Sequence, residues 1–307
     1  MAVVWELDFY SRPVLDENGK KRWEVLICDS PTDLNADLGD PYRYSVFCSN
    51  TEVNSITVSN AMKAAIAESG VKPDKVRFFR QSLRNAIEAG CQTVGVNACL
   101  SQRTLMMEQW IEERLEKVYP QDPGYQASAQ AAALYLPPPA ARPLPDALLG
   151  QKWAVVSLPV EALRDMGEWE IDFGEAMPLE LFDLKDDTLV PGVLVFSPRA
   201  KAIAAWMSGL EMGFVRIEVQ EKPSSLSSKE SEFPDQIILE TGVGDRWVFA
   251  NLPDAKTKEE GQSLEVLKTA AQGLHFIAIQ KDPDSERFEG FWMMSERQVL
   301  SPRIPVA

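Results

Sequence analysis

The stretch "VWELDFYSRPVLDENGKKRWEVLICD", residues 4 to 29, decides how the chain begins to fold. In its first run the odd positions Trp5, Leu7 and Phe9 are apolar, while Glu6, Asp8 and Tyr10 are polar or amphipathic. This is the period-two pattern of a strand with one buried face. Trp23, Val25 and Ile27 make the same odd-in choice in the second run. Facing residues of an antiparallel pair share a face, so the turn must set odd against odd. A two-residue turn at Asn18-Gly19 sets Phe9 against Cys28 and fails. A three-residue loop Glu17-Asn18-Gly19 passes, with Asp16 opposite Lys20, Phe9 opposite Ile27, Asp8 opposite Cys28 and Gly19 in a left-handed bulge position. This register predicts Trp5, Phe9, Trp23 and Ile27 on the buried side and Glu24 in a cross-strand ion pair with Arg12. It sends Glu6 and Asp8 to a solvated face, where their amide replacements should leave folding largely intact. A metal-dependent nuclease built on Glu6, Asp8, Glu24 or Asp29 would want a lysine beside them on a strand, and Lys20 and Lys21 fall at the turn.

From residue 42 the pattern continues as strand "YRYSVFCS", helix "VSNAMKAAIAESG", strand "KVRFFR", helix "SLRNAIEAG", strand "TVGVN" and helix "SQRTLMMEQWIEERLEKVY". Val58, Ala61, Met62, Ala65 and Ile66 form one helical face that Gly70 ends. Strands alternating with helices imply a mixed sheet covered by helices. Between residues 120 and 150 the composition turns rich in proline and alanine, and Pro137, Pro138 and Pro139 favour a stiff spacer. The expected organisation is an α/β domain over 1–119, a linker over 120–150 and a second α/β domain over 151–307. Each domain is a mixed sheet containing hairpins. The second domain includes the hairpin "QIILETGVGDRWVFANL" and a polar break between Glu221 and Asp235. The pentapeptides Trp5 to Phe9 and Trp169 to Phe173 differ at one position and hint at duplication, although their flanks do not align.

The 307 residues carry a net charge of −15, which argues against broad, nonspecific binding to nucleic acid. No run has the length of a membrane span. Met1 leads straight into the first strand, so no signal or transit peptide is expected and the chain reads as cytoplasmic. Cys28, Cys48, Cys91 and Cys99 form no CxxC pair and read as small core residues in a reducing compartment. The one histidine, His275, opens the strand "HFIAIQ" and is accompanied by no nucleophile motif. No phosphate-loop, dinucleotide, zinc-protease or EF-hand pattern occurs, so no cofactor or catalytic residue is expected.

The exception to the acidic balance is "VKPDKVRFFRQSLR", residues 71 to 84, where Lys72, Lys75, Arg77, Arg80 and Arg84 meet the single acid Asp74. Phe78 and Phe79 lie between the arginines. Guanidinium groups hold phosphates while rings stack on unpaired bases, so Lys75, Arg77, Phe78, Phe79, Arg80 and Arg84 are candidate contacts for single-stranded RNA. On a strand Phe78 and Phe79 point to opposite faces, so at least one belongs to the core. A buried strand with a solvated rim fits the same residues.

Seven blocks in order carry a family resemblance: "WELDFYSRPVLDENGKKRWEVLICD", "KVRFFRQSLRNAIEAG", "QRTLMMEQWIEERLEKVYPQDPGYQ", "LPDALLGQKWAVVSLPV", "GLEMGFVRIEV", "ILETGVGDRW" and "FEGFWMM". With these the chain resembles the Tab/Atab RNA-binding family of cyanobacteria and plastids. The resemblance implies an A/U-rich RNA-binding factor that supports translation of photosystem I reaction-centre messages, and photosystem II messages in some plants. It implies translation or photosystem assembly proteins as further partners, and no enzyme activity. The rival readings are a metal-dependent nuclease and an acidic assembly scaffold without RNA contact.

Overall fold

The computed structural model describes residues 3–127, 139–219 and 235–296. Pro137, Pro138 and most of the polar break after Glu221 lie outside them. The chain divides into two compact units, Met1–Pro31 with Asp37–Leu136, and Thr32–Ala36 with Pro137–Arg297. Both are α/β, built on mixed sheets covered by helices.

The first unit contains β1 (Val4–Leu15), β2 (Lys21–Asp29), β3 (Arg43–Cys48), α1 (Ser55–Ser69), β4 (Lys75–Phe78), α2 (Arg84–Thr93), β5 (Asn97–Leu100) and α3 (Leu105–Glu113). The sheet order is β3-β2-β1-β4-β5, with β2 antiparallel to both neighbours and β1, β4 and β5 parallel. The Glu17-Asn18-Gly19 loop forms as its parity requires: Asp16 N–H donates to Lys20 O at 2.8 Å, and Gly19 has φ +73°. Odd residues pair with odd throughout. The register beyond the loop differs from expectation, because an irregularity between Ser11 and Leu15 shifts it by two residues. Phe9 therefore faces Val25, Asp8 faces Leu26 and Glu24 faces Tyr10. Pro13, which has no N–H to give a ladder, stands inside the irregular segment.

Trp5, Leu7, Phe9, Val25, Ile27, Val76 and Phe78 form one core with α1 and α2. Asn54 caps α1 by accepting from the N–H groups of Ile56 and Thr57, and Gly70 ends it at φ +69°. The strand expected over Thr93–Asn97 begins only at Asn97, because Gly95 takes φ +69° in the turn after α2. The opposite face of the sheet is not solvated as the alternation implied. Helix α3 lies over it, and Glu6, Asp8 and Glu24 are buried there.

The second unit holds β6 (Arg142–Pro143), β7 (Lys152–Pro159), α4 (Val160–Arg164), β8 (Ile171–Glu175), β9 (Leu189–Phe196), α5 (Ala200–Ser208), β10 (Met212–Glu218), β11 (Asp235–Thr241), β12 (Asp245–Leu252), α6 (Ala255–Ala270), β13 (Leu274–Gln280) and β14 (Phe288–Ser295). One sheet runs β7-β9-β13-β14-β8 and the other β10-β11-β12-β6, and both close on a single core with α5 and α6. Trp169-Phe173 ends in the edge strand β8, whereas Trp5-Phe9 lies in the central strand β1, so the two pentapeptides occupy different places in their sheets. Trp292, Met293 and Met294 are buried in β14. Within the segment 120–150 expected as a linker, Gly124 O accepts from Leu15 N–H at 2.8 Å and Arg142–Pro143 pairs with β12.

A close approach in this unit has a measurable consequence. Gly192 pairs with Phe276 between β9 and β13, and a Cβ there would stand 2.2 Å from the Phe276 ring. The ring is buried and has nowhere to retreat. Gly192→Ala should therefore destabilise by about 1–3 kcal/mol through overpacking, although alanine normally suits a strand better than glycine. Urea denaturation checks this, and an unchanged midpoint would show that the two strands can part.

Candidate nucleic-acid interface

β1 is the central strand, with antiparallel β2 and then β3 on one side and parallel β4 and β5 on the other, and the basic run passes over the carboxyl end of β4. Glu6 is paired with Arg77 across β1 and β4, which brings Phe79 and Arg80 beside Asp8 and Tyr10. The centre of the basic run therefore meets the opening carboxylates, which lie some seventy residues earlier in sequence.

Asp8 is fully buried and accepts from Arg12 Nη2 at 2.9 Å and Arg80 Nε at 2.8 Å. Burial opposes its ionisation, but the Arg80 and Arg12 guanidiniums together hold it below the usual carboxylate range. Glu24 accepts from Arg12 Nε at 3.0 Å, Ser45 Oγ at 2.7 Å and Tyr119 Oη at 2.6 Å, and it also pairs with Arg114. The Arg12–Glu24 ion pair thus exists despite the shifted register, because the long arginine side chain spans the offset. Glu6 accepts from Ser30 Oγ at 2.7 Å and from the Met107 N–H in the first turn of α3 at 2.6 Å. Burial pushes its pKa up to about 7 against those hydrogen bonds and the charge of Arg77. Asp29 accepts from Tyr42 N–H at 2.9 Å.

Glu6, Asp8 and Glu24 form a buried polar layer between sheet and helix, with arginine the main counter-charge. Among the described residues no group of three or more histidine, cysteine or acidic side chains is placed to hold a metal. Glu6 and Asp8 are buried and bonded rather than solvated, which corrects the face expected from alternation; Asp8→Asn, which removes the charge facing Arg12 and Arg80, should therefore destabilise the first unit. The signal lost to a local reading was the arginine complement, spread over Arg12, Arg80 and Arg114.

The candidate RNA contacts fall into three groups. Arg77 and Phe78 are buried, and Phe78 belongs to the core under α1 and α2, so it offers no stacking surface. Lys75 and Phe79 are half-buried, and Arg84 is exposed and paired with Glu88 at 2.8 Å. Arg80 is half-buried, and its guanidinium carbon lies 3.8 Å from the centre of the Tyr10 ring and 4.7 Å from that of Phe79. Tyr10, absent from the sequence-based candidates, thus joins Arg80 and Phe79. Its place follows from the β1–β4 pairing, which no local pattern encodes.

Residues 4–114 match the family described as RNA-binding protein Tab2/Atab2 N terminal, and residues 131–295 match the RNA-binding protein Tab2/Atab2 C-terminal domain. The chain is 39% identical over 297 residues to the chloroplastic protein TAB2 homolog of Zea mays, covering 94% of this chain and 70% of the maize protein. It is 37% identical over 298 residues to the corresponding Arabidopsis thaliana protein, covering 94% and 74%. A chain from a simian T-cell lymphotropic virus intasome complex with PP2A regulatory subunit B56 gamma aligns with TM-score 0.28 and 12% identity over 50% of this chain and 61% of that one, too weakly to bear on the fold.

Proposed function

The chain belongs to the RNA-binding Tab2/Atab2 family, and on that premise we propose that it binds single-stranded A/U-rich RNA to support synthesis of photosystem reaction-centre proteins. The observation that carries the choice of surface is Arg80, buttressed by Asp8 and set against the Tyr10 and Phe79 rings just past the carboxyl end of β4. Asp8 accepts from its Nε at 2.8 Å and from Nη2 at 3.5 Å, so the remaining terminal N–H groups are the ones a phosphate would meet, in a fork whose orientation is already fixed. Tyr10 and Phe79 supply ring surface for an unpaired base, and Arg84 and Lys75 extend the positive charge along the same run. Arg77 and Phe78 have no part in this surface.

The protein acts in this reading as a binding factor, with translation or photosystem assembly proteins as further partners. The carboxylates that a nuclease would need are engaged with arginines, hydroxyls and backbone N–H groups. The four cysteines are all free thiols, in keeping with a reducing setting such as the cytoplasm. No described helix is long and apolar enough to cross a membrane.

The test is titration of short A/U-rich and G/C-rich RNAs at two salt concentrations, with circular dichroism as folding control. Because the chain is acidic as a whole, few phosphates are neutralised and affinity is moderate. Arg80→Gln with Arg84→Gln should weaken binding and flatten the log–log salt slope by about 0.7 for each phosphate contact removed. Phe79→Ala should weaken binding without altering the slope. Unchanged affinity in folded variants removes this surface. Absence of RNA binding by the parent leaves the acidic scaffold as the better reading.

A further inference from the structure

The second unit carries a cavity of about 250 Å³ between the end of β12, the start of β7 and the loop before β7. Its floor is apolar, with Val195 of β9 and Ile203 of α5 both buried. Its walls are two aromatic rings, Trp153 and Phe249, which pack on the core while remaining half-buried. At the lip stand Lys152 and Asn251, both exposed. Gln236 Nε2 donates to Asn251 Oδ1 at 3.0 Å, which orients the amide and makes its N–H₂ the group to offer an acceptor. The loop is held against β9 at Gly150, where a Cβ would fall 2.4 Å from Val195, and it presents Leu149 at 46% exposure beside the opening.

An opening that holds two rings, an amide and a lysine is poorly matched to a purely apolar guest. The volume lies below the usual range for drug-sized ligands and suits one flat heterocycle with part of a sugar. Sequence-selective recognition of single-stranded RNA uses this chemistry: a splayed base lies against aromatic side chains, amides read its edge, and a cation holds the adjoining phosphate. We propose that this cavity receives one unstacked base of a single-stranded RNA, with Trp153 and Phe249 flanking it, Asn251 donating to a base carbonyl or ring nitrogen, and Lys152 on the neighbouring phosphate. The proposal rests on the RNA-binding reading but not on the surface around Arg80, because its residues belong wholly to the other unit.

The experiment uses the full chain and a short uridine-rich RNA carrying 4-thiouridine. Binding is measured for the parent, for Phe249→Ala, and for the double variant Lys152→Glu with Asn251→Asp, whose side chains are exposed and whose fold is safe. Phe249→Ala should lose roughly five- to hundred-fold in affinity, the cost of one stacked base. The double variant should lose roughly tenfold or more, through charge reversal at the phosphate and loss of the amide donor. Photocrosslinks should map to peptides containing Trp153 or Phe249. If the parent binds RNA, the folded double variant binds equally well and no crosslink reaches those peptides, the cavity is not a base site and the RNA reading stands. If the parent binds no RNA, both fall together.

Discussion

Arg12→Met will destabilise the first unit by about 3–5 kcal/mol, the usual cost of leaving a buried charge without its partner. Arg12 is itself buried and gives Nη2 to Asp8 at 2.9 Å and Nε to Glu24 at 3.0 Å, so one truncation removes a counter-charge from two buried carboxylates. Asp8 then retains Arg80, which is partly exposed, and Glu24 retains Arg114, Ser45 and Tyr119. Those remaining contacts place the effect toward the lower end of the range. Methionine preserves much of the stem, which separates lost charge from lost packing. The control is Arg84→Gln, which breaks the Arg84–Glu88 pair on the surface of α2, where such pairs contribute about 0.5 kcal/mol or less. Denaturant titrations of both variants at one pH decide the matter. A loss for Arg12→Met no larger than for Arg84→Gln would mean that the polar layer carries no net charge coupling.

The contrast between those two arginines also separates what local sequence encodes from what only strand pairing decides. Odd-with-odd pairing and the Glu17-Asn18-Gly19 loop follow from alternation in Trp5–Phe9 and Trp23–Ile27, because a strand's side-chain period is local. The two-residue shift beyond Ser11 did not follow, since an irregular segment preserves parity while moving every partner. Alternation equally failed to separate a polar face in water from one buried beneath a helix. The α3 residues that cover Glu6, and Arg114 and Tyr119 that neutralise and bond Glu24, lie about a hundred residues downstream. The basic run was visible as composition, but its division into a buried Arg77, an Asp8-bound Arg80 and an exposed Arg84 depends on parallel pairing of β1 with β4. Phe78 and Phe79 divided as their opposite-face geometry required, with Phe78 in the core.

The second unit will lose stability as pH falls below 6.5, with His275 contributing on the order of 5 kcal/mol by the time pH reaches its folded pKa. His275 is completely buried at the start of β13, where Nε2 accepts from Val215 N–H at 2.9 Å and Nδ1 stands 2.7 Å from Gly273 O. Accepting at one nitrogen and donating at the other requires the neutral ring. Burial and then the nearby Lys268 charge push its pKa down to about 3, against the smaller opposing effect of the Gly273 carbonyl. The folded value lies below the unfolded one, so the unfolded chain takes the proton first. The stabilisation is complete above 6.5 and drains away on acidification toward 3. Glu6 in the first unit has the opposite sign: its folded pKa of about 7 lies above 4.5, so the stability it confers at low pH is lost as pH rises from 4.5 to 7. Between 4.5 and 6.5 the two buried groups therefore tilt their units in opposite directions. His275→Gln should cost stability at pH 8, because the Val215–side chain–Gly273 bridge is disturbed, and should flatten the dependence between pH 6.5 and 4. His275 is the chain's single histidine, so its imidazole proton resonance can be followed without assignment ambiguity. In the folded protein that resonance should stay at its neutral position down to pH 4.5, and a titration centred near 6.5 would overturn the assignment.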